Sequence, residues 1–200
     1  KPVYYTAYAR YLVRYFDEMK KLGFNFWGLT PQNEPLHAGN EPSMAMSADE
    51  QLDFINNHLG PALEQSSHAI KILAYDHNCD HPEYPIAVAN GSRYVAGPAF
   101  HLYGGDISAL THVKNATRKD VYFTEQWTGA NGDFDGDLGW HMEHVVIGAT
   151  RNWARTVLEW NLASTPPNLA RGCLDCQGAI SIDEANQTIT RHVSYYIIGQ

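Results

Sequence analysis

Two acidic residues each close an apolar run. Glu34 ends Phe24-Asn-Phe-Trp-Gly-Leu-Thr-Pro-Gln-Asn-Glu-Pro35, and Glu125 lies in Asp120-Val-Tyr-Phe-Thr-Glu-Gln-Trp127. Each run has strand character, so each strand delivers a carboxylate at its carboxyl end, where parallel α/β folds place their chemistry. If both face one pocket, their negative charges raise each other's pKa, and one stays protonated while the other stays ionised. Such a pair can donate a proton to one atom of a substrate while attacking another. Asn33 beside Glu34, and His101 and Tyr103 at the end of a third run, are further candidates for that pocket. So are Asp76, His77 and Asn78 at the end of another strand, Trp127 and Trp160.

The elements that must position these residues alternate along the chain. Ala9, Leu12, Val13, Phe16 and Met19 recur at helical spacing, which predicts an amphipathic helix over 5–22, closed by Gly23. A strand over 24–30 follows, and then a loop from His37 to Met46. Ser47-Ala-Asp-Glu50 has the form of a capping box opening a helix that carries Leu52, Ile55 and Leu59, with Gly60-Pro61 expected to break it and to start a short second helix through Leu63. Further strands read at 71–78, 97–103, 120–127 and 155–162. Between them lie a loop and helix over 82–96, a helix that Asp106 caps through His112, a glycine- and aspartate-rich loop over 129–139 and a helix over 140–153. The end of the chain reads as a loop bearing Cys173 and Cys176, a hairpin at 179–182 and 188–190, and a helix starting near Tyr195.

Each strand is apolar on both parities, the pattern of a parallel sheet covered on both faces. Polar or aromatic residues end every strand, which favours part of a (β/α)8 barrel over an open doubly wound sheet. Neither a Gly-x-Gly-x-x-Gly pattern nor a phosphate loop follows any strand.

Composition narrows the classes. The 200 residues are 44% apolar and 12% aromatic, enough for one sizeable core, and 18% charged with a net charge of −8. An acidic surface repels phosphates and argues against nucleic acid. A spanning helix is not expected, since no run of eighteen apolar residues occurs, and the opening residues do not read as a leader. Cys-Leu-Asp-Cys at 173–176 fits a local disulfide or two loop thiols better than half a zinc site, which needs a second pair, or a redox pair, which needs a flanking strand and helix. His141-Met-Glu-His144 has the wrong spacing and acid placement for a zinc-hydrolase motif, and it reads as a solvated helix face. Asn90, Asn115 and Asn186 head glycosylation tripeptides, which matter only in a eukaryotic secretory protein.

Asn33-Glu34-Pro35, His101-Leu-Tyr103, Phe123-Thr-Glu-Gln-Trp127 and Glu159-Trp-Asn-Leu-Ala163, in that order, resemble family 30 of the glycoside hydrolases, with the glucosylceramidases and β-1,6-glucanases as the nearest groups. The resemblance implies a retaining β-glycosidase without a cofactor, acting on a β-glucoside or β-glucan. Glu34 would be the acid/base, Glu125 the nucleophile, Asn33 the partner of the sugar 2-hydroxyl and Tyr103 the residue that orients Glu125. Trp160 would floor the sugar site and Trp127 would line a neighbouring subsite. His101 and Asp76 are further substrate-binding candidates, while Glu159, of opposite parity to Trp160, should turn away and pair with an arginine. The five strands resemble the fourth to eighth of such a barrel, so the first three and the β-rich side domain have no counterpart in these 200 residues. A location outside the cytoplasm, whether secreted, periplasmic or lysosomal, is implied. The alternative is a carbohydrate-binding barrel that keeps both carboxylates without turnover, and a metal-dependent hydrolase is weaker still.

Overall fold

The computed structural model describes residues 1–39, 42–165, 173 and 175–200. Its centre is a five-stranded parallel sheet built from β1 (Gly28–Leu29), β2 (Lys71–Cys79), β3 (Val95–Gly105), β4 (Val121–Glu125) and β6 (Ala154–Val157), side by side in that order. Strand β5 (Thr128–Gly129) lies apart from this sheet. Consecutive parallel neighbours demand crossover helices, and the apolar stripes of the chain supply them. These are α2 (Ala48–Phe54), α3 (Gly60–Glu64), α4 (Glu83–Gly91), α5 (Ala109–Thr117), α6 (Phe134–Trp140) and α7 (Gly148–Arg151), and α1 (Tyr5–Lys21) precedes β1 and packs on the same face.

The helices cover one face of the sheet. Phe16 of α1, Phe54, Ile55 and Leu59 of the second helical stretch, and Leu110 and Val113 of α5 pack with Ile72, Ala74, Phe100, Val121 and Phe123 of the strands in one buried core. On the opposite face Leu73, Ala99 and Tyr122 form a smaller cluster, with Trp27 edge-on to Tyr122 at 5.4 Å between ring centres. Apolar material on both faces is the arrangement expected of barrel strands. Among the described residues β1 and β6 each have one edge without a partner strand, and Phe24, Trp27, Leu158 and Leu162 beside those edges are exposed.

Several local expectations hold. Ser47 and Glu50 form the reciprocal cap, with the Ser47 amide donating to the Glu50 carboxylate at 2.8 Å. Gly23 closes α1 at φ +88°. The hairpin is β9 (Ile180–Asp183) with β10 (Thr188–Arg191), antiparallel, and α8 (Val193–Gly199) follows. β9 also pairs in parallel with β7 (Ala163–Ser164).

Others are corrected. The short second helix expected to start at Gly60-Pro61 is α3, but no break precedes it, because Ile55–Leu59 is a π-helical turn that joins α2 to α3. The Gly60 amide reaches back five residues to the Ile55 carbonyl, so the register widens just where proline has no N–H to give. Gly60 is also required by packing, since a Cβ there would run into the Tyr94 ring. The stretch 129–139 is not all loop: Asp133 accepts from the Gly136 amide and starts α6, which continues through a second π-helical turn, His141–Ile147, into α7. The first and last strands are shorter than predicted. With a partner on one side only, the backbone pairs at Gly28 and Leu29 but not over the exposed Phe24–Trp27 stretch. The 155–162 segment keeps strand form only to Val157, with the Leu158 amide still donating to the Phe123 carbonyl at 3.2 Å, and beyond it one isolated bridge joins Trp160 to Trp127. The peptide between Trp160 and Asn161 is cis. Asp106 accepts from the Ser108 amide, and the helix beyond it runs over Ala109–Thr117 rather than ending near His112.

Candidate active site

The site lies at the carboxyl ends of the parallel strands. Register slips occur in β2 between Tyr75 and His77 and between Asn78 and Cys79, and in the β3–β4 pairing between Phe100 and His101. Such bulges re-aim side chains at the ends of strands. At the β2 bulge Tyr75 and Asp76 adopt φ of +76° and +61°, an uncommon region for residues with a Cβ. The Tyr75 amide that the bulge strips of a strand partner donates instead to Gln51 Oε1 at 2.8 Å. Glu34 also has a positive φ, +46°, and its amide donates to the Asp76 carbonyl at 2.9 Å. Two unusual backbone positions are thus tied together, and strain held in this way is characteristic of functional sites.

A cleft of about 870 Å³ opens above these strand ends. Of the site residues expected from sequence, Asn33, Glu34, Asp76, Tyr103, Glu125, Trp127 and Trp160 line it. His101 is fully buried among the acids. Its Nδ1 lies 3.2 Å from Glu34 and 3.8 Å from Glu125, and its Nε2 is 3.1 Å from Asp76. One ligating atom each of Glu34, His101 and Glu125 lie within 4.8 Å of one another. The two carboxylates that are ninety-one positions apart in the chain therefore do converge.

Each neighbour has an electrostatic consequence. Burial works against an imidazolium at His101, but hydrogen bonds to Asp76 and Glu34 and the charges of Asp76 and Glu125 outweigh it, raising the pKa to about 9. For Asp76, burial pushes upward, yet bonds to His101, Thr124 and Thr30 hold it below its ordinary value. Glu125 goes the other way: burial raises it, with the charges of Glu34 and Asp76 adding, while the His101 charge and the Tyr103 hydroxyl oppose. That hydroxyl donates to Glu125 Oε1 at 3.1 Å, and burial pushes its own pKa up.

The sequence reading missed part of the supporting shell. Thr124 Oγ1 donates to Asp76 at 2.6 Å, and the Gln126 side chain accepts from the Leu102 amide at 3.2 Å. His77 and Asn78, by contrast, line the cleft beside Asp76 as their place at the strand end leads one to expect, with His77 Nδ1 buried and without a hydrogen-bond partner among the described residues. Parity gave no signal for Thr124, since strict alternation turns it away from its neighbour Glu125. Only the register slips bring both to one cluster. Glu159 does not pair with an arginine: it bonds His141 Nδ1 at 2.9 Å, and both side chains are buried. His141 is therefore not on a solvated helix face, because the π-helical turn carries it inward. Cys173 and Cys176 are joined in a disulfide at the cleft wall, and Cys79 is a buried free thiol.

Glu34, His101 and Glu125 are also the donor set that could hold a metal ion. A metal at His101 Nδ1 would have to displace the proton that its three acidic neighbours stabilise. The arrangement suits shared-proton carboxylate chemistry better.

The model of the glycosyl hydrolase family 30 TIM-barrel domain matches residues 1–200. The chain belongs to glycosyl hydrolase family 30. Among relatives in this family, it is 35% identical to an endo-1,6-β-D-glucanase of Aspergillus fumigatus over 98% of its length and 41% of that protein. Against the lysosomal acid glucosylceramidase of Mus musculus it is 26% identical over 98% of its length and 42% of that protein. A solved endo-β1,6-glucanase superposes with a TM-score of 0.91 at 37% identity, covering 98% of this chain and 47% of that one. This family 30 chain thus spans less than half the length of these relatives, and its five-stranded parallel sheet is a partial barrel.

Proposed function

We propose that this chain supplies the fourth to eighth strands of the catalytic barrel of a retaining β-glucan hydrolase, with β-1,6-linked glucan as substrate ahead of a lipid-linked glucoside. The observation that carries the reading is the convergence of Glu34 and Glu125 on one cleft, with His101 between them and ligating atoms within 4.8 Å. Retaining glycosidases hold their carboxyl groups about 5–5.5 Å apart, whereas inverting ones leave about 6.5–9.5 Å for a water. The relatives named as endo-1,6-β-glucanases support the linkage, and the missing strands and side domain would come from sequence beyond these 200 residues.

In this reading Glu125 attacks the anomeric carbon as Glu34 protonates the departing oxygen. The resulting ester to Glu125 is then hydrolysed by a water that Glu34 deprotonates. A proton on Glu34 removes one of the charges that raise Glu125, so protonating one favours ionising the other. Tyr103 fixes the Glu125 carboxylate, Trp160 offers an indole face to the sugar C–H face, and Asn33 binds the 2-hydroxyl. The acids that face the buried His101 give it a different part from the substrate contact expected from sequence: it is a charge brace beneath the sugar. Asp76 in turn holds the brace.

Product analysis of the full-length protein on β-1,6-glucan and on glucosylceramide, side by side, tests the substrate. Release of gluco-oligosaccharides from the glucan is expected. Binding without release of any product would favour the sugar-binding alternative, and activity only on the ceramide would reverse the preference.

A further inference from the structure

The disulfide has no part in the chemistry above, yet it sits in the same cleft wall as Trp127 and Trp160. Its attachment to that wall is specific. Cys176 begins β8 (Cys176–Gln177), which pairs antiparallel with β5, placing Cys176 opposite Gly129. The Ala130 amide donates to the Asp175 carbonyl at 2.8 Å, extending the same seam. Gly129 in turn packs against the Trp127 ring, where a Cβ would come within 3.1 Å of the indole. Thr128 anchors the unit from below through a buried hydroxyl contact with Ser194 at 2.6 Å.

We propose that the Cys173–Cys176 disulfide is a specificity element that sets the outer wall of the cleft, fixing Trp127 for saccharide units beyond the one at the cleaved bond. The inference rests on the glycosidase reading and adds to it a determinant for chain length. Two features separate this wall from the catalytic group. Glu125 is oriented by Tyr103 and His101, which belong to β3, whereas the disulfide acts on the segment that follows Glu125. A cross-link spanning only three positions constrains very little of the unfolded chain, since loop-closure entropy grows with loop length, so its effect is local. What it restricts is the backbone opposite Gly129.

The test compares nitrophenyl β-glucoside with a β-1,6-linked gluco-oligosaccharide on the full-length protein and on the Cys173→Ser/Cys176→Ser double variant. As a second route that does not depend on folding of the variant, the folded native protein is treated with a water-soluble phosphine. This splits the S–S bond into two thiols while the phosphine takes an oxygen from water and becomes its oxide. The expected result is a fall of about tenfold in the kcat/KM ratio of the oligosaccharide to the aryl glucoside, carried by KM, the upper range for losing one aromatic contact. An unchanged ratio under both treatments, or a parallel loss on the two substrates, overturns the inference. A native protein that cleaves neither substrate sinks the underlying reading itself, and this one with it.

Discussion

Replacing His101 by glutamine removes a buried cation that Glu34, Asp76 and Glu125 share at 3.2, 3.1 and 3.8 Å. The folded state raises the His101 pKa from 6.5 to about 9, which corresponds to about 3 kcal/mol. The direction of the pH effect follows from the raised value. Below about pH 6.5 both folded and unfolded His101 are protonated and the contribution is fully present. As pH rises, the unfolded chain loses its proton first, and the contribution is gone once the folded group titrates near pH 9. Urea unfolding of the full-length native protein should therefore show stability declining across that window, and His101→Gln should remove that part of the slope. The variant should also be less stable at neutral pH by an amount of the same order, because breaking a buried pair strands its partners. Glu125 gives a slope of the same sign, since its pKa is also raised and its contribution is present at acid pH and falls as pH rises through the raised value, so the unfolding comparison is made in a Glu125→Gln background. Without the His101 charge the Glu125 pKa climbs further, and the acid limb of kcat/KM should shift to higher pH. A variant with native pH dependence of unfolding, or with its acid limb shifted to lower pH, would refute the brace.

Three further outcomes are expected. Glu34→Gln should lower kcat by about 10²–10⁴-fold on substrates with poor leaving groups, and by much less on a dinitrophenyl glucoside that needs no proton; equal losses on both would contradict the acid/base role. Trp160→Ala should raise KM by up to about tenfold with a smaller change in kcat, as measured by initial rates, because stacking serves ground and transition states alike. Gly97→Ala should destabilise the fold by about 1–3 kcal/mol or more in urea titrations, since its Cβ would run into the backbone carbonyl of Asp120, just before β4.

The sequence made the strand ends legible because an apolar run that stops at a polar residue is a local signal. Glu34 and Glu125 each follow such a run, and both face the cleft. Tyr103 was legible for the same reason, and its hydroxyl meets Glu125 as the family resemblance implied. What could not be read is what non-local contacts impose. The left-handed backbone at Tyr75 and Asp76 depends on Gln51, twenty-four residues away, taking the Tyr75 amide, and no turn residue announces it. Thr124 reaches Asp76 only through a slip in register. Gly60-Pro61 does start the short helix α3, but the widened helical turn before it absorbs the missing N–H and leaves no break. The His141–Glu159 pair needs a similar turn to bring the histidine inward, so a parity argument put the acid on the right face with the wrong partner. The exposed apolar edges at Phe24–Trp27 and Leu158–Leu162 follow from a sheet that ends at β1 and β6.

The central claim is that Glu125 forms a bond to the sugar. Incubating the full-length protein with a dinitrophenyl β-glucoside fluorinated at carbon 2, then digesting it and measuring peptide masses, tests this directly. The slow inactivator should leave one fluoroglucosyl group on the peptide that contains Glu125, and Glu125→Gln should take up none. Label on Glu34 or on another peptide, or turnover by the Gln variant at the native rate, would contradict the account.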